Sequence, residues 1–76
     1  MIIYSHKVDA CNLCGHVFGN APCESKIMYD ARFAQGWANA CHSCFTLLGG
    51  ELGTGLGQRY ELQAIGDRFF WVKTGG

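Results

Sequence analysis

Ile2, Tyr4, His6 and Val8 alternate with Ile3, Ser5 and Lys7, and this period of two predicts a first strand over residues 2–8. The CNLCGH stretch that follows reads as a tight turn, from its cysteine spacing and from Gly15. Lys26–Tyr29 and Phe33–Trp37 are short apolar-rich runs, and Asp30-Ala31-Arg32 between them predicts the turn of a β-hairpin. Asn39 is placed to cap a helix over Ala40–Leu48, with Gly49-Gly50 as its stop. Such a helix has fewer than three turns and needs tertiary support to persist. Residues 49–57, GGELGTGLG, carry five glycines in nine positions and predict a loop, which ends at Gln58. A second hairpin is expected from Arg59–Ala64 and Arg68–Lys73 about Ile65-Gly66-Asp67, because Tyr60, Leu62 and Ala64 alternate with Glu61 and Gln63. Phe69, Phe70, Trp71 and Val72 are apolar without a break, as in a strand covered on both faces, and Thr74-Gly75-Gly76 is expected to fray. The pattern describes one α+β domain over residues 1–76: a knuckle, hairpin and helix at 11–48, a glycine-rich loop at 49–58, and an added hairpin at 59–73.

Length changes this picture first. A chain of 76 residues buries only about 60% of the surface its unfolded form exposes. The conformational entropy it loses leaves little net stability. Some further constraint is expected, and five cysteines with three histidines supply a candidate. Ser5, His6 and Lys7 interrupt the apolar start before it reaches the length of a secretory signal, and no run approaches a membrane span. A cytoplasmic protein that does not enter a membrane is therefore expected. Thiols stay reduced in that compartment, and an odd number of cysteines cannot all pair within one chain.

The cysteines are organised. Cys11-x2-Cys14 and Cys41-x2-Cys44 are two matched pairs separated by 26 residues. A CxxC turn sets two sulfurs on one side of the chain, and zinc takes four such ligands tetrahedrally. The second pair, spaced i and i+3, falls on one face of the first helical turn, near the positive end of the helix dipole. One structural Zn²⁺ held by Cys11, Cys14, Cys41 and Cys44 is the expectation. Gly15 lets the first turn fold back so that backbone amides face the sulfurs. A thioredoxin-like redox reading would need a βαβ context, which the pattern lacks. His16 reads as a half-exposed knuckle histidine, as a hydrogen-bond partner of a ligand, or as an alternate ligand. Cys23 reads as a free thiol beside the hairpin or as an exchange ligand, and His42 is expected to point away from the metal. Trp37, Phe45, Leu47 and Leu48 are expected to pack behind the site.

Knuckle, hairpin and a helix bearing the second cysteine pair resemble a treble-clef zinc finger. GATA-type fingers share this logic, including a tryptophan ahead of the helical CxxC, where Trp37 stands here. Those fingers are strongly basic and this chain is not. A closer resemblance is to small zinc-finger-like proteins encoded by bacteriophages and prophages, carried by CNLCG, GWANACHSCF and LGTGLGQRY over roughly residues 11–60. It implies a treble-clef-like site with cysteines 11, 14, 41 and 44 as ligands and a phage setting, and it brings no activity with it. Rubredoxins also hold a metal, iron, on two CxxC knuckles. CNLCG lacks the proline of their CPxCG form and CHSCF lacks both its proline and its glycine, which makes electron transfer a remote alternative.

Charge bears on function. Six Lys+Arg balance six Asp+Glu, and Zn²⁺ with four thiolates adds about −2. Phosphate contacts need surplus cations, so nucleic-acid binding ranks second. Its best surface would be Arg59, Arg68 and Lys73 with Tyr60, Phe69 and Trp71. GTGLG at 53–57 lacks the lysine of a Walker loop and follows a helix, so a structural loop is expected there rather than a phosphate cradle. Four thiolates close a zinc site to substrate, and neither HExxH nor a deaminase signature is present, so no enzyme is expected. A protein-interaction module comes first: a phage-encoded accessory or host-directed inhibitory protein. Arg59, Tyr60, Phe70 and Trp71 are its candidate contacts, and a homodimer could form through the second hairpin.

Overall fold

The computed structural model describes residues 1–19 and 24–76. Among these, the elements are strand β1 (Ile27–Phe33), strand β2 (Gly36–Ala40), helix α1 (His42–Leu47), strand β3 (Gly57–Ile65) and strand β4 (Arg68–Gly75). The chain is a small α+β fold built on one antiparallel sheet of order β2-β1-β3-β4. The second hairpin is therefore not an addition to the first. β3 pairs with β1 from Ile27↔Glu61 to Ala31↔Gly57, and the helix is the crossover that carries the chain from β2 past β1.

The first hairpin turns at Ala34-Gln35, not at Asp30-Ala31-Arg32. Asp30 and Arg32 are paired strand residues, opposite Asn39 and Trp37. Gly36 explains the placement, because its φ of 118° is open only to glycine. The helix is shorter than the expected Ala40–Leu48. Its N-cap is Cys41, and Asn39 belongs to β2, where its side chain donates to the Tyr4 hydroxyl at 3.3 Å. Its end is as expected: Gly49 sits at φ 68°, in the left-handed conformation of a helix stop. The 2–8 strand is reduced to a single bridge, Ile3↔Val72. The Tyr4 N–H donates to the Trp71 carbonyl at 2.9 Å and the Lys73 N–H to the Ile2 carbonyl at 2.8 Å. These bonds occupy the outer edge of β4 at Trp71–Lys73. The C-terminal residues do not fray: β4 runs to Gly75, which pairs with Arg59.

Strand alternation gives the sheet two apolar faces. On one, Met28, Tyr60 and Trp71 pack with Cys11, Phe18 and Cys41, and Tyr4, Val8 and Leu62 lie against them. Tyr4 meets Tyr60 edge-on at 5.0 Å and Phe18 meets Trp71 at 5.4 Å. On the other face, Tyr29, Ala31, Phe33 and Ala40 form a second cluster, and α1 covers it by stacking Phe45 on Tyr29 at 3.9 Å. Leu13 and Cys44 touch both clusters, so the cysteine end of the sheet is where the two layers join. Phe45 packs as the sequence predicts, but Trp37, Leu47 and Leu48 do not. They are 52%, 83% and 48% exposed. Trp37 is on an edge strand, on the face opposite the helix, and the helix is too short to bury its last turn.

Candidate metal centre

Three local structures deliver four sulfurs. Cys11 and Cys14 sit on the knuckle, a loop closed by the Gly15 N–H donating to the Cys11 carbonyl at 3.0 Å and the Cys11 N–H to the His16 carbonyl at 2.8 Å. Gly15 takes φ 79°, which lets the chain reverse directly after Cys14. Cys41 ends the extended run of β2, and Cys44 follows within the first turn of α1. The two halves are joined by Asn12. Its N–H donates to the Asn39 carbonyl at 2.8 Å, and its side-chain oxygen accepts from the Asn39 N–H at 2.7 Å. These bonds cap the free edge of β2 two residues before Cys41 and set the knuckle opposite the helix start.

The result is a convergence: the sulfurs of Cys11, Cys14, Cys41 and Cys44 all lie within 4.8 Å of one another. Cys14 and Cys41 are 3.6 Å apart at sulfur. A tetrahedral ion with metal–sulfur bonds of about 2.3 Å needs sulfurs about 3.8 Å apart. The cluster therefore fits a metal ion, and its all-sulfur donor set suits a soft or borderline one. None of the four is in a disulfide.

Electrostatics within the cluster are uneven. Burial pushes the Cys11 thiol up, but N–H groups of Cys41, Cys14 and Leu13 and the Cys14 thiol outweigh it and bring it down to about 6. The contacts from the Cys41 and Leu13 N–H groups to its sulfur are 3.3 and 3.4 Å. Burial raises the Cys41 thiol, and the neighbouring Cys14 and Cys11 thiols add to the rise against the Cys44 N–H. Cys44 is pushed up to about 12 by desolvation, by the thiols of Cys14, Cys41 and Cys11, and by negative charge on Cys11. Without a cation, one thiolate suppresses ionisation of its neighbours. A divalent ion removes that conflict by neutralising charge that the sulfurs cannot disperse themselves.

The remaining sequence candidates divide. His16 is exposed and is not among the converging ligand atoms; with Cys14, Cys41, His42, Ser25 and Ser43 it lines a small pocket of about 190 Å³ beside the sulfurs. Cys23 lies outside the described residues. His42 is turned toward Tyr29, whose hydroxyl is 3.1 Å from its Nδ1, and not into the cluster. Arg59, Tyr60, Phe70 and Trp71 do not form one contact surface. Tyr60 and Trp71 are buried at 7% exposure on one face of the sheet, while Arg59 and Phe70 belong to the other. Arg59 is already engaged, by Glu61 at 3.6 Å and by the Thr74 hydroxyl. In the glycine-rich run the Leu56 carbonyl accepts from the Arg32 N–H at 2.9 Å, and the Gly53 N–H donates to the Gly57 carbonyl at 2.9 Å. Gly57 is pressed against β1, where a Cβ would come within 2.9 Å of the Ala31 Cβ and 2.6 Å of the Glu51 carbonyl oxygen. Asn12 and Tyr29 carry positional roles that the sequence reading missed. The one available signal was an asparagine between two ligands, a residue apt to bond nearby backbone. Comparison with protein-family models, curated proteins and solved structures finds no match to this chain.

Proposed function

We propose that the cluster holds one structural Zn²⁺ in a treble-clef-like finger and that the domain works as a protein-interaction module. The observation that carries this is the convergence of four thiols, from two segments distant in sequence, onto a space the size of one ion. Four thiolates fill the coordination sphere of zinc and leave no position for substrate, which favours a structural role over catalysis. Knuckle, hairpin and helix follow in treble-clef order, with Cys41 as the helix cap. Reduced, metal-binding thiols suit a reducing compartment such as the cytoplasm. No helix among the described residues is long and apolar enough to cross a membrane.

The interaction role draws on exposed apolar side chains that the small core leaves over, notably Trp37, Leu47, Leu48 and Phe69. Tryptophan is prominent among residues that dominate interface energetics. The resemblance to small phage zinc-finger-like proteins supports an accessory or inhibitory protein acting on a host or phage partner. The test has two stages. Native mass spectrometry with a visible spectrum is expected to show one colourless zinc per chain; a red iron-loaded protein that refuses zinc would replace the reading with electron transfer. Capture from a lysate is then expected to retain one protein that Trp37→Ala releases. A salt-sensitive shift of labelled DNA or RNA, with no protein retained, would overturn the partner class in favour of nucleic acid.

A further inference from the structure

The four sulfurs are chemically alike but not equally placed. Cys11 and Cys41 are buried at 3% and 5% exposure, Cys44 is half-buried, and Cys14 is exposed. Cys11 is further shielded by two backbone N–H groups directed at its sulfur, from Leu13 and Cys41. The Cys14 sulfur lies 3.6 Å from the Cys41 sulfur, and among the described residues no backbone N–H donates to it. A small pocket is lined by Cys14 and Cys41 together with His16, Ser25, His42 and Ser43. Its volume of about 190 Å³ admits a few water-sized molecules, and its walls offer polar groups to hold them. Metal binding makes all four cysteines thiolates. Oxidation of a thiolate follows its access to the oxidant and its nucleophilicity, and hydrogen bonds to sulfur diminish the latter.

We propose that Cys14 is the point at which a hydroperoxide oxidises this protein, and that the reaction ends in a Cys14–Cys41 disulfide with release of the metal ion. This rests on the structural-metal reading above. The Cys14 thiolate attacks one peroxide oxygen; the O–O bond breaks, an S–O bond forms, and hydroxide leaves. Cys14 is then a sulfenic acid, two electrons oxidised. The Cys41 thiolate, 3.6 Å away at sulfur, attacks the Cys14 sulfur, the S–S bond forms, and the S–O bond breaks with loss of a second hydroxide. Two thiolates and one hydrogen peroxide thus give one disulfide and two hydroxides. Cys11 and Cys44 remain as two ligands, too few to retain the ion. Cys41, 5% exposed, is less accessible to peroxide than the exposed Cys14, and its sulfur, 3.6 Å from that of Cys14, makes it the resolving thiol.

The test is a titration of the zinc-loaded full chain with hydrogen peroxide, after its metal content has been measured. Released zinc is followed with a chromogenic chelator, and disulfides are mapped by peptide mass spectrometry after thiol blocking. Expected are one zinc released per peroxide consumed and Cys14–Cys41 as the first disulfide formed. Cys14→His keeps four ligands and is expected to lose zinc at least tenfold more slowly at the same peroxide concentration. A first disulfide that omits Cys14, one that joins Cys14 to Cys11, Cys23 or Cys44, or oxidation with zinc retained overturns the proposal. Purified protein without metal overturns the structural-metal reading instead, and disulfide mapping still decides separately whether Cys14 is oxidised first. If Cys14→His does not fold, the wild-type map decides alone.

Discussion

The two ends of the sheet are held by different physics. At the cysteine end, a knuckle, the end of β2 and a six-residue helix meet around four sulfurs, and α1 has no buried residue of its own. At the far end, β3 and β4 form long paired strands, with Trp71, Tyr60 and Phe18 packed under residues 2–8. The first end rests on a six-residue helix with no buried residue of its own and the second on long paired strands, while Cys11 and Cys41 share one core cluster with Tyr60 and Trp71. A short helix of this kind does not persist alone in water. A metal ion that fixes Cys41 and Cys44 to the knuckle supplies the constraint that apolar area does not.

That contrast can be broken most decisively by removing the metal. Chelation, or Cys41→Ser, is expected to unfold the cysteine end; structural zinc is worth on the order of 10 kcal/mol of apparent binding free energy in small fingers. Hydrogen exchange should show protection lost at Phe45 and Leu48, whose N–H groups bond to Cys41 and Cys44, before it is lost in β3 and β4. Simultaneous loss throughout would mean that the two ends are one cooperative unit.

The two tryptophans sharpen the same contrast. Trp71, 7% exposed, is expected to cost about 3–5 kcal/mol on replacement by alanine. The metal-loaded variant should melt more than about 12 °C lower yet still bind one equivalent of metal. Trp37, 52% exposed, is expected to cost less than about 1 kcal/mol on the same change. Equal losses in thermal unfolding would contradict the burial difference between the two positions.

Gly57→Ala probes the join between the hairpins. The added Cβ would meet the Glu51 carbonyl oxygen at 2.6 Å, and a loss of about 1–3 kcal/mol is expected in denaturant unfolding. The smallest effect belongs to Asp30. Burial raises its pKa against an opposing hydrogen bond from Tyr4. A raised carboxyl pKa means the charged form is worse accommodated in the fold than in the unfolded chain, so ionisation costs stability above the folded value. Asp30→Asn is therefore expected to stabilise the protein slightly at neutral pH. The gain should vanish as the pH falls and wild-type Asp30 becomes protonated in both states. A wild-type advantage at neutral pH would reverse the sign.

The metal ligands were legible because their information is local: a CxxC spacing places two sulfurs together whatever surrounds it. The second hairpin was legible for a similar reason, since alternation from Tyr60 to Ala64 has period two and Gly66 takes a positive φ of 65° at the turn. The first hairpin was misplaced because Asp30 has turn propensity, while the deciding residue was Gly36, whose backbone no other residue adopts easily. The 2–8 alternation was real but found only one bridge on the edge of β4.

The sequence by itself determined that four thiols would gather and that short strands and one short helix would surround them, because spacing and periodicity act within a few residues. Tertiary structure alone decided which of the four cysteines is exposed, that Asn12 ties the knuckle to β2, and that Tyr60 and Trp71 are interior while Trp37 is not. Each of these depends on the β2-β1-β3-β4 order, and strand order is set by which faces can be covered together. An aromatic residue carries the same hydrophobic signal on either side of a sheet; only the segment that lies against it determines whether that side is core or surface.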